Sequence, residues 1–400
     1  MILNILSIFQ KRPFGFFFPL LFLFSCLSVP QRSPTSNGPV LPGAIQQAIY
    51  LPLLQGKKVA LVANSTSYVG ATHLVDVLLE QGINVRKIFV PEHGFRGDHG
   101  AGELVNDAVD PSTGLPLIAL YGAVKKPTQA MLEDVDVVVF DIQDVGVRCY
   151  TYLSTLHYVM EACAENQCPL IVLDRPNPNG HYVDGPVLDL SFQSFVGKHA
   201  IPMVYGLTLG EMAYMINGEG WLRDQLQCAL TVIVVKNYTH QTPYSLPMPP
   251  SPNLPNDQAV ALYPCLSLFE GTTISTGRGT PFPFQVLGYP DPSFGTFQFT
   301  PISMPGKALS PKHQDQCCFG IDLRDAPRPY RFDLQYLLLF FQLATAQGLS
   351  FFGPTFDIHA GSEVLRQQME TGYSEEEIRA SWQQDLKSYH VIRNKYLLYD

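Results

Sequence analysis

The segment "PEHGFRGDHGAGE", residues 91–103, sets Glu92, His93, Arg96, Asp98, His99 and Glu103 among glycines, directly after the apolar run "VRKIFV". Acids and bases at this density, on backbone loosened by glycine, fit three chemistries: a carboxylate catalyst, a metal site, or a polar connecting turn. A plain turn has little use for two histidines and an arginine between its glycines. His93 and His99, with Asp98 or Glu92, do not follow H-E-x-x-H or another helix-based ligand spacing. The sequence therefore predicts no bound metal, and the histidines are read as groups that position a sugar hydroxyl or tune Glu92.

Carboxylate chemistry remains. Cleavage of a glycosidic bond needs one acid to assist the leaving oxygen and a second carboxylate acting on the other side. Glu92, at a strand end in a loop thin enough for a sugar to approach, is the first candidate. Glu211, Asp141 and Asp144 are the candidates for the second role, and spacing does not rank them. A third course uses the sugar's own acetamido oxygen, with one carboxylate to orient it. Each strand-end acid also has a structural reading as a helix cap or loop acceptor, and Glu211 sits where it would complete a capping box at Thr208.

A second glycine-rich stretch, "EGTTISTGRGTPFPFQVLG" (270–288), carries Arg278 between Gly277 and Gly279. A guanidinium on such a turn suits a carboxylate or phosphate gripped by two N–H groups. Phe282, Phe284 and Tyr289 nearby offer aromatic faces for a sugar or for a core.

The elements that must position these groups are legible as periodic runs. "KKVALVAN" (57–64), "INVRKIFV" (83–90), "VDVVVFD" (135–141), "CPLIVLD" (168–174) and "ALTVIVVKNY" (229–238) read as buried strands. "THLVDVLLEQG", "TYLSTLHYVMEACAENQ" and "TLGEMAYMINGEGWL" read as the helices between them. Strands alternating with helices predict an α/β fold, a Rossmann-like domain with a parallel sheet over about residues 45–240. Ligands of such sheets bind beyond the carboxyl ends of the strands, where Asn64, Glu92, Asp141, Asp144, Asp174 and Arg175 fall.

After the proline-rich "YSLPMPPSPNLPN" the texture changes, and residues 241–400 read as a smaller α+β C-terminal domain. Its last helix is expected to start at Ser374, with Glu377 closing a capping box and Ile378, Trp382, Leu386 and Tyr389 on one face.

Several functions are excluded by absence. There is no G-x-G-x-x-G turn after the first strand, no phosphate-binding P-loop and no G-x-S-x-G elbow. No cofactor is therefore expected, and no serine-hydrolase chemistry. The formal charge of −9 gives no electrostatic footprint for nucleic acid.

The first residues are set apart from the fold. Lys11 and Arg12, the apolar run Phe14–Phe24, then Ser25 and Cys26 have the layout of a secretory signal, and the run is too short to span a bilayer. Residues 1–25 are read as a lipoprotein-type signal peptide, Cys26 as the lipidated residue, and 26–44 as a tether. The expected location is therefore exported and lipid-anchored, periplasmic or outer-membrane, with no membrane contact except through the lipid. The remaining cysteines show no C-x-x-C pair and read as buried free thiols, with an occasional disulfide open.

Taken together, "GKKVALVANSTS", "PEHGFRGDHGAGE", "VVVFDIQDVGVRCYTYLSTL", "LDRPNPNGHYVDGPVLD", "IPMVYGLTLGEMA", "PPSPNLPN", "YPCLSLFEGTTISTGRGTPFPFQVLGYP" and "RNKYLLY" resemble the NamZ-type exo-β-N-acetylmuramidases. The resemblance runs from about residue 45 to 400. It implies removal of terminal β-linked N-acetylmuramic acid from the non-reducing end of peptidoglycan fragments, in an active-site cleft between the Rossmann-like domain and the smaller C-terminal domain, which contributes to it. Carried onto this sequence it makes Glu92 the leading catalytic acid and gives the lactyl carboxylate of muramic acid to Arg278, with Arg96, Arg148 and Arg175 as alternatives. Asn64, His93, His99, Tyr150 and Asn177, all in or beside the matching stretches, complete the expected substrate-contacting set. Two other functions fit the same features: a muropeptide-binding lipoprotein without catalysis, and a metal-dependent hydrolase using His93 and His99.

Overall fold

The computed structural model describes residues 38–95 and 106–400. The leader, Cys26, Arg96, Asp98, His99 and Glu103 lie outside the described residues.

The apolar runs form one seven-stranded sheet. Its strands in chain order are β1 (Lys58–Ala63), β2 (Asn84–Val90), β3 (Ala108–Val109), β4 (Pro116–Ala119), β5 (Val137–Asp141), β6 (Leu170–Leu173) and β7 (Leu230–Ile233). They lie in the order β7-β6-β5-β1-β2-β4-β3, all parallel except the short edge strand β3. The chain leaves β1 toward β2 and β4, then returns to the other side of β1 with β5. That reversal opens the crevice where such sheets take their ligands.

Both faces of the sheet are covered, which is why the runs are continuously apolar instead of alternating. Val59, Leu61, Val137, Val139 and Ile171 face helices α1 (Gln47–Leu54) and α2 (Leu74–Glu80), where Tyr50, Leu54, Leu74 and Leu78 are buried. Ala60, Val62, Val138, Phe140 and Val172 face α3 (Tyr152–Glu165) and α4 (Leu209–Gly218). The second core does not stop at the sheet. Phe269, Phe332, Phe340 and Phe356 from the second half of the chain belong to the same buried cluster.

The second half contributes α5 (Asp257–Leu266), a three-stranded antiparallel sheet of β8 (Val286–Tyr289), β9 (Phe297–Phe299) and β10 (Cys318–Asp322) in the order β8-β10-β9, and α6 (Gln335–Ala346). The helix expected from Ser374 forms as two, α7 (Glu375–Ser381) and α8 (Gln383–Arg393). Trp382, with φ −100° and ψ 2°, interrupts it, and its indole N–H donates to Asp184 Oδ1 at 3.2 Å. The Ser374 capping box is present, and Ile378, Trp382, Leu386 and Tyr389 are all buried.

After α8 the chain lies back on the first half. Leu398 N–H donates to Glu211 Oε1 at 2.8 Å, and Tyr399 O–H donates to Asp174 Oδ2 at 2.6 Å. This strap is the structural content of the closing "RNKYLLY".

Two boundaries differ from the sequence reading. β7 ends at Ile233, not near 238, because Lys236 exchanges backbone hydrogen bonds with Leu41 at 2.9 and 3.0 Å. The expected tether to residue 44 is correspondingly held from Pro39 onward, whose carbonyl accepts from Asn237 Nδ2 at 2.9 Å. Gly43 packs so closely on Ile233 and Asp174 that a Cβ would come within 2.5 Å of the Ile233 carbonyl oxygen. All seven described cysteines are free thiols, six of them buried.

Candidate active site

β2 delivers Glu92 to the crevice. His93 (φ 73°) and Gly94 (φ 77°) are both left-handed and reverse the chain immediately after it, a conformation that costs a non-glycine residue energy and concentrates at functional sites. The Glu92 side chain is 8 % exposed, and Thr151 at the N-cap of α3 donates its hydroxyl to Glu92 Oε2 at 2.6 Å. Tyr121, two residues past β4, also hydrogen-bonds the Glu92 side chain. Burial and then the Glu92 charge push the Tyr121 hydroxyl well above its ordinary range, so it stays protonated and remains a donor.

Glu92 opens on a cavity of about 790 Å³ lined by residues of both halves of the chain, including His93, Tyr121, Tyr150, Thr151, Glu270, Arg278 and Lys312. The same cavity is lined by a half-buried charged group. Arg278, between the left-handed Gly277 and Gly279, places Nε and Nη2 each 2.8 Å from Glu270 Oε1 and lies over the Phe284 ring at 5.0 Å. Burial pushes the Glu270 carboxyl up, but the charge and hydrogen bond of Arg278, helped by Lys312 and His359, outweigh it and hold the carboxyl below its usual range. Lys312 donates to the carbonyls of Phe269, Glu270 and Thr272 at 2.8, 3.0 and 2.5 Å. Burial lowers it to about 8, with Arg278 adding to that and Glu270 opposing. At neutral pH this end of the cavity therefore holds two cations against one anion.

Of the residues singled out from sequence, the cavity collects Glu92, His93, Tyr150, Arg278 and Phe284. Tyr150 points its hydroxyl away, to Pro250 O at 2.7 Å. The other described residues expected at the site have structural occupations and do not line it. Glu211 completes the capping box of α4, accepting from Thr208 N–H at 2.8 Å, while its other oxygen serves Leu398 N–H and His240 Nε2. Asp141 is locked in a two-point ion pair, with Arg175 Nε on Oδ1 at 2.6 Å and Nη2 on Oδ2 at 2.9 Å. Arg175 is thereby spent as well.

Asp144 accepts from Gly146 N–H at 2.7 Å and from the Tyr205 hydroxyl, and burial raises it to about 6 against those bonds. Arg148 is buried and donates to four carbonyls, those of Pro186, Ile201, His359 and Ala360, which staples the two halves together. Asn64 folds the turn after β1 by accepting from Thr66 N–H at 2.9 Å, and its amide donates to Tyr152 O–H at 2.8 Å. Asn177 does the same for its own turn, accepting from Asn179 N–H at 2.8 Å.

Sequence reasoning missed Tyr121, Thr151, Glu270 and Lys312. Glu270 stood at the head of the very segment that carries Arg278, and an acid eight residues before an arginine across a double-glycine turn was the available signal. Among the described residues no group of three or more His, Cys, Asp or Glu converges as a metal site.

Comparison with known proteins gives the same picture of both halves. Sequence models of the N-terminal and C-terminal domains of exo-β-N-acetylmuramidase NamZ match residues 59–258 and 261–399. The peptidoglycan β-N-acetylmuramidase NamZ of Bacillus subtilis (strain 168) is 35 % identical over 418 residues, covering 98 % of this chain and all of that protein. Two crystal structures of DUF1343 family proteins from Bacteroides fragilis NCTC 9343 are similar. One is 44 % identical, with TM-score 0.83 over 91 % of this chain and 99 % of the other. The second is 30 % identical, with TM-score 0.76 over 90 % and 99 %. With matched sequence models over both halves, a relative of known activity along its whole length and the Glu92 loop set in one shared cavity, this chain belongs to the NamZ exo-β-N-acetylmuramidase family.

Proposed function

We propose that this protein is an exo-acting glycoside hydrolase that releases terminal β-linked N-acetylmuramic acid from the non-reducing end of peptidoglycan fragments. The observation that carries the reading is the meeting, in one cavity, of a carboxylate held by two hydroxyls and an arginine-centred charged group. Glu92 is assigned the proton transfer at the glycosidic oxygen. Tyr121 and Thr151 fix its orientation. Glu270 is bound to Arg278 and stays ionised, so it serves the guanidinium and not the reacting bond. Arg278 is assigned the lactyl carboxylate, the one negative group that distinguishes muramic acid from glucosamine. The relative's activity on peptidoglycan supports this substrate class over a binding-only lipoprotein or a metal-dependent hydrolase.

The direct test is hydrolysis of a 4-nitrophenyl β-N-acetylmuramide beside the matching glucosaminide; cleavage of neither would end the proposal. Arg278→Ala is expected to weaken binding of N-acetylmuramic acid about 10- to 100-fold, the worth of a charged hydrogen bond, and to leave N-acetylglucosamine binding unchanged. Arg278→Lys, keeping the charge without the fork, should fall between. Equal losses for both sugars in calorimetry would remove the lactyl assignment.

A pH dependence follows from Lys312. Its ammonium is present below about pH 8 and is lost as pH rises through that value, so the charged end becomes less positive. KM for the muramide should therefore rise above about pH 8. A flat KM from neutral to strongly alkaline pH would show that this charge takes no part.

The address of the protein is proposed on the sequence of its first residues. Lys11, Arg12, the apolar run and Cys26 support export and lipid anchoring, and among the described residues no helix is long and apolar enough to cross a membrane. Cys26→Ala should move the protein from the membrane fraction to the soluble exported fraction. An unchanged distribution would refute the lipid anchor.

A further inference from the structure

The cavity is also bordered by a turn whose composition needs a reason. Ser194 N–H donates to Gly197 O at 2.8 Å, and Gly197 N–H returns the bond to Ser194 O at 3.4 Å. The two residues at the tip are Phe195 and Val196, and both line the cavity. Two-residue reversals ordinarily take Gly, Asn or Asp, and loop tips are ordinarily polar. An apolar pair at such a tip, only half-buried, is explained by what comes to rest on it.

The tip is held in place. Ser154 in the first turn of α3 donates its hydroxyl to Phe195 O at 2.7 Å. Tyr158, one turn further along α3, lies nearly parallel to the Phe195 ring, with centroids 6.3 Å apart and planes at 15°. Tyr121 meets Phe195 at 5.9 Å and with its hydroxyl holds Glu92. Phe195 therefore stands one ring away from the carboxylate that acts on the glycosidic bond. Lys125, which also lines the cavity, carries its ammonium 4.9 Å from the Phe195 centroid on a flexible stem that a ligand can push aside.

We propose that Phe195, Val196 and Lys125 form the subsite for the leaving-group sugar. The ligand is an N-acetylated aminopyranose whose apolar ring face packs on Phe195 while Lys125 donates to its hydroxyl or acetamido oxygens. The inference rests on the glycosidase reading of this cavity. If the lactyl-bearing sugar is held at the Arg278 end, the sugar it is cut from lies on the other side of Glu92. Tyr121 fixes that spacing, since it touches the carboxylate with one end and the platform with the other. The volume of about 790 Å³ lies toward the large end of the usual range for small-molecule sites, about 300–1,000 Å³, and leaves room beyond one ring.

The test compares two substrates that differ only in their leaving group: the disaccharide N-acetylmuramyl-β-1,4-N-acetylglucosamine and methyl β-N-acetylmuramide, which leaves methanol and no ring. Phe195→Ala should lower kcat/KM on the disaccharide about ten-fold more than on the methyl glycoside, chiefly through KM, as expected for one apolar face returned to water. Phe195→Trp, which keeps a flat face, should hold most of the disaccharide activity, and Lys125→Ala should shift the same ratio in the same direction by less. Equal losses on both substrates would overturn the subsite and leave Phe195 as packing for Tyr121. Failure of the wild type to cleave either substrate would instead defeat the glycosidase reading itself.

Discussion

Glu92→Gln is expected to lower kcat on a β-N-acetylmuramide by about 10²–10⁴-fold, the usual share of a positioned proton-transfer group. The amide keeps the volume and its oxygen can still accept from Thr151, so the geometry of the cavity largely survives while the transferable proton is lost. KM should move little, because binding charge resides in Arg278 and Lys312, which line the same cavity. The check is steady-state kinetics with thermal unfolding of the same preparation. An active Glu92→Gln variant would transfer the role to a residue outside this wall, and a variant with a collapsed unfolding midpoint would make the loss uninformative. Thr151→Val, which removes one hydroxyl from Glu92, separates orientation from proton transfer by giving a smaller loss.

Asp141→Ala is expected to act on stability instead of chemistry. The Asp141–Arg175 pair is almost fully buried, and removing one partner strands the other charge in the interior at a cost of about 3–5 kcal/mol. Arg175 Nη2 also donates to Tyr68 O at 3.1 Å, so the turn after β1 should loosen with it. Urea unfolding should show a much lower midpoint, while the fraction that remains folded keeps its kcat. A variant with the wild-type midpoint and no activity would restore Asp141 as a catalytic residue.

These two carboxylates illustrate what could and could not be read from the sequence. The continuous apolar runs of β1, β2, β5 and β6 specify strands covered on both faces, and their carboxyl ends point to one rim of the sheet. That rule gives a neighbourhood, not an occupation. Asp141, Asp144, Asp174 and Glu92 all follow strands, yet three of them are used inside the protein: in an ion pair with Arg175, in a bond to Tyr205, and in docking Tyr399. Only Glu92 faces the cavity, and the signal that set it apart was the density of glycine and histidine around it. Tyr121 was invisible because β4 is four residues long and opens with Pro116, too little pattern to register as a strand. Glu270 and Lys312 are brought to Arg278 by turns and loops that no hydrophobic period encodes. The division of the terminal helix at Trp382 was equally silent, since the buried positions repeat across the break as they would in one helix.

The strap after α8 has a bearing on how the chain reaches its final state. Tyr399 meets Asp174 at a sequence separation of 225 and Leu398 meets Glu211 at 187, contacts whose loop closure comes late in folding. Until they form, Asp174 and Glu211 are acids at a rim without their full set of donors, and the sheet that should hold the catalytic loop is open on that side. Residues 59–258 thus take part of their rim contacts from residues far beyond 258, although family resemblance draws a border there. A product clipped before Leu398 keeps Glu92 but loses both contacts, so the rim beside β6 and α4 is where its loosening should first be felt.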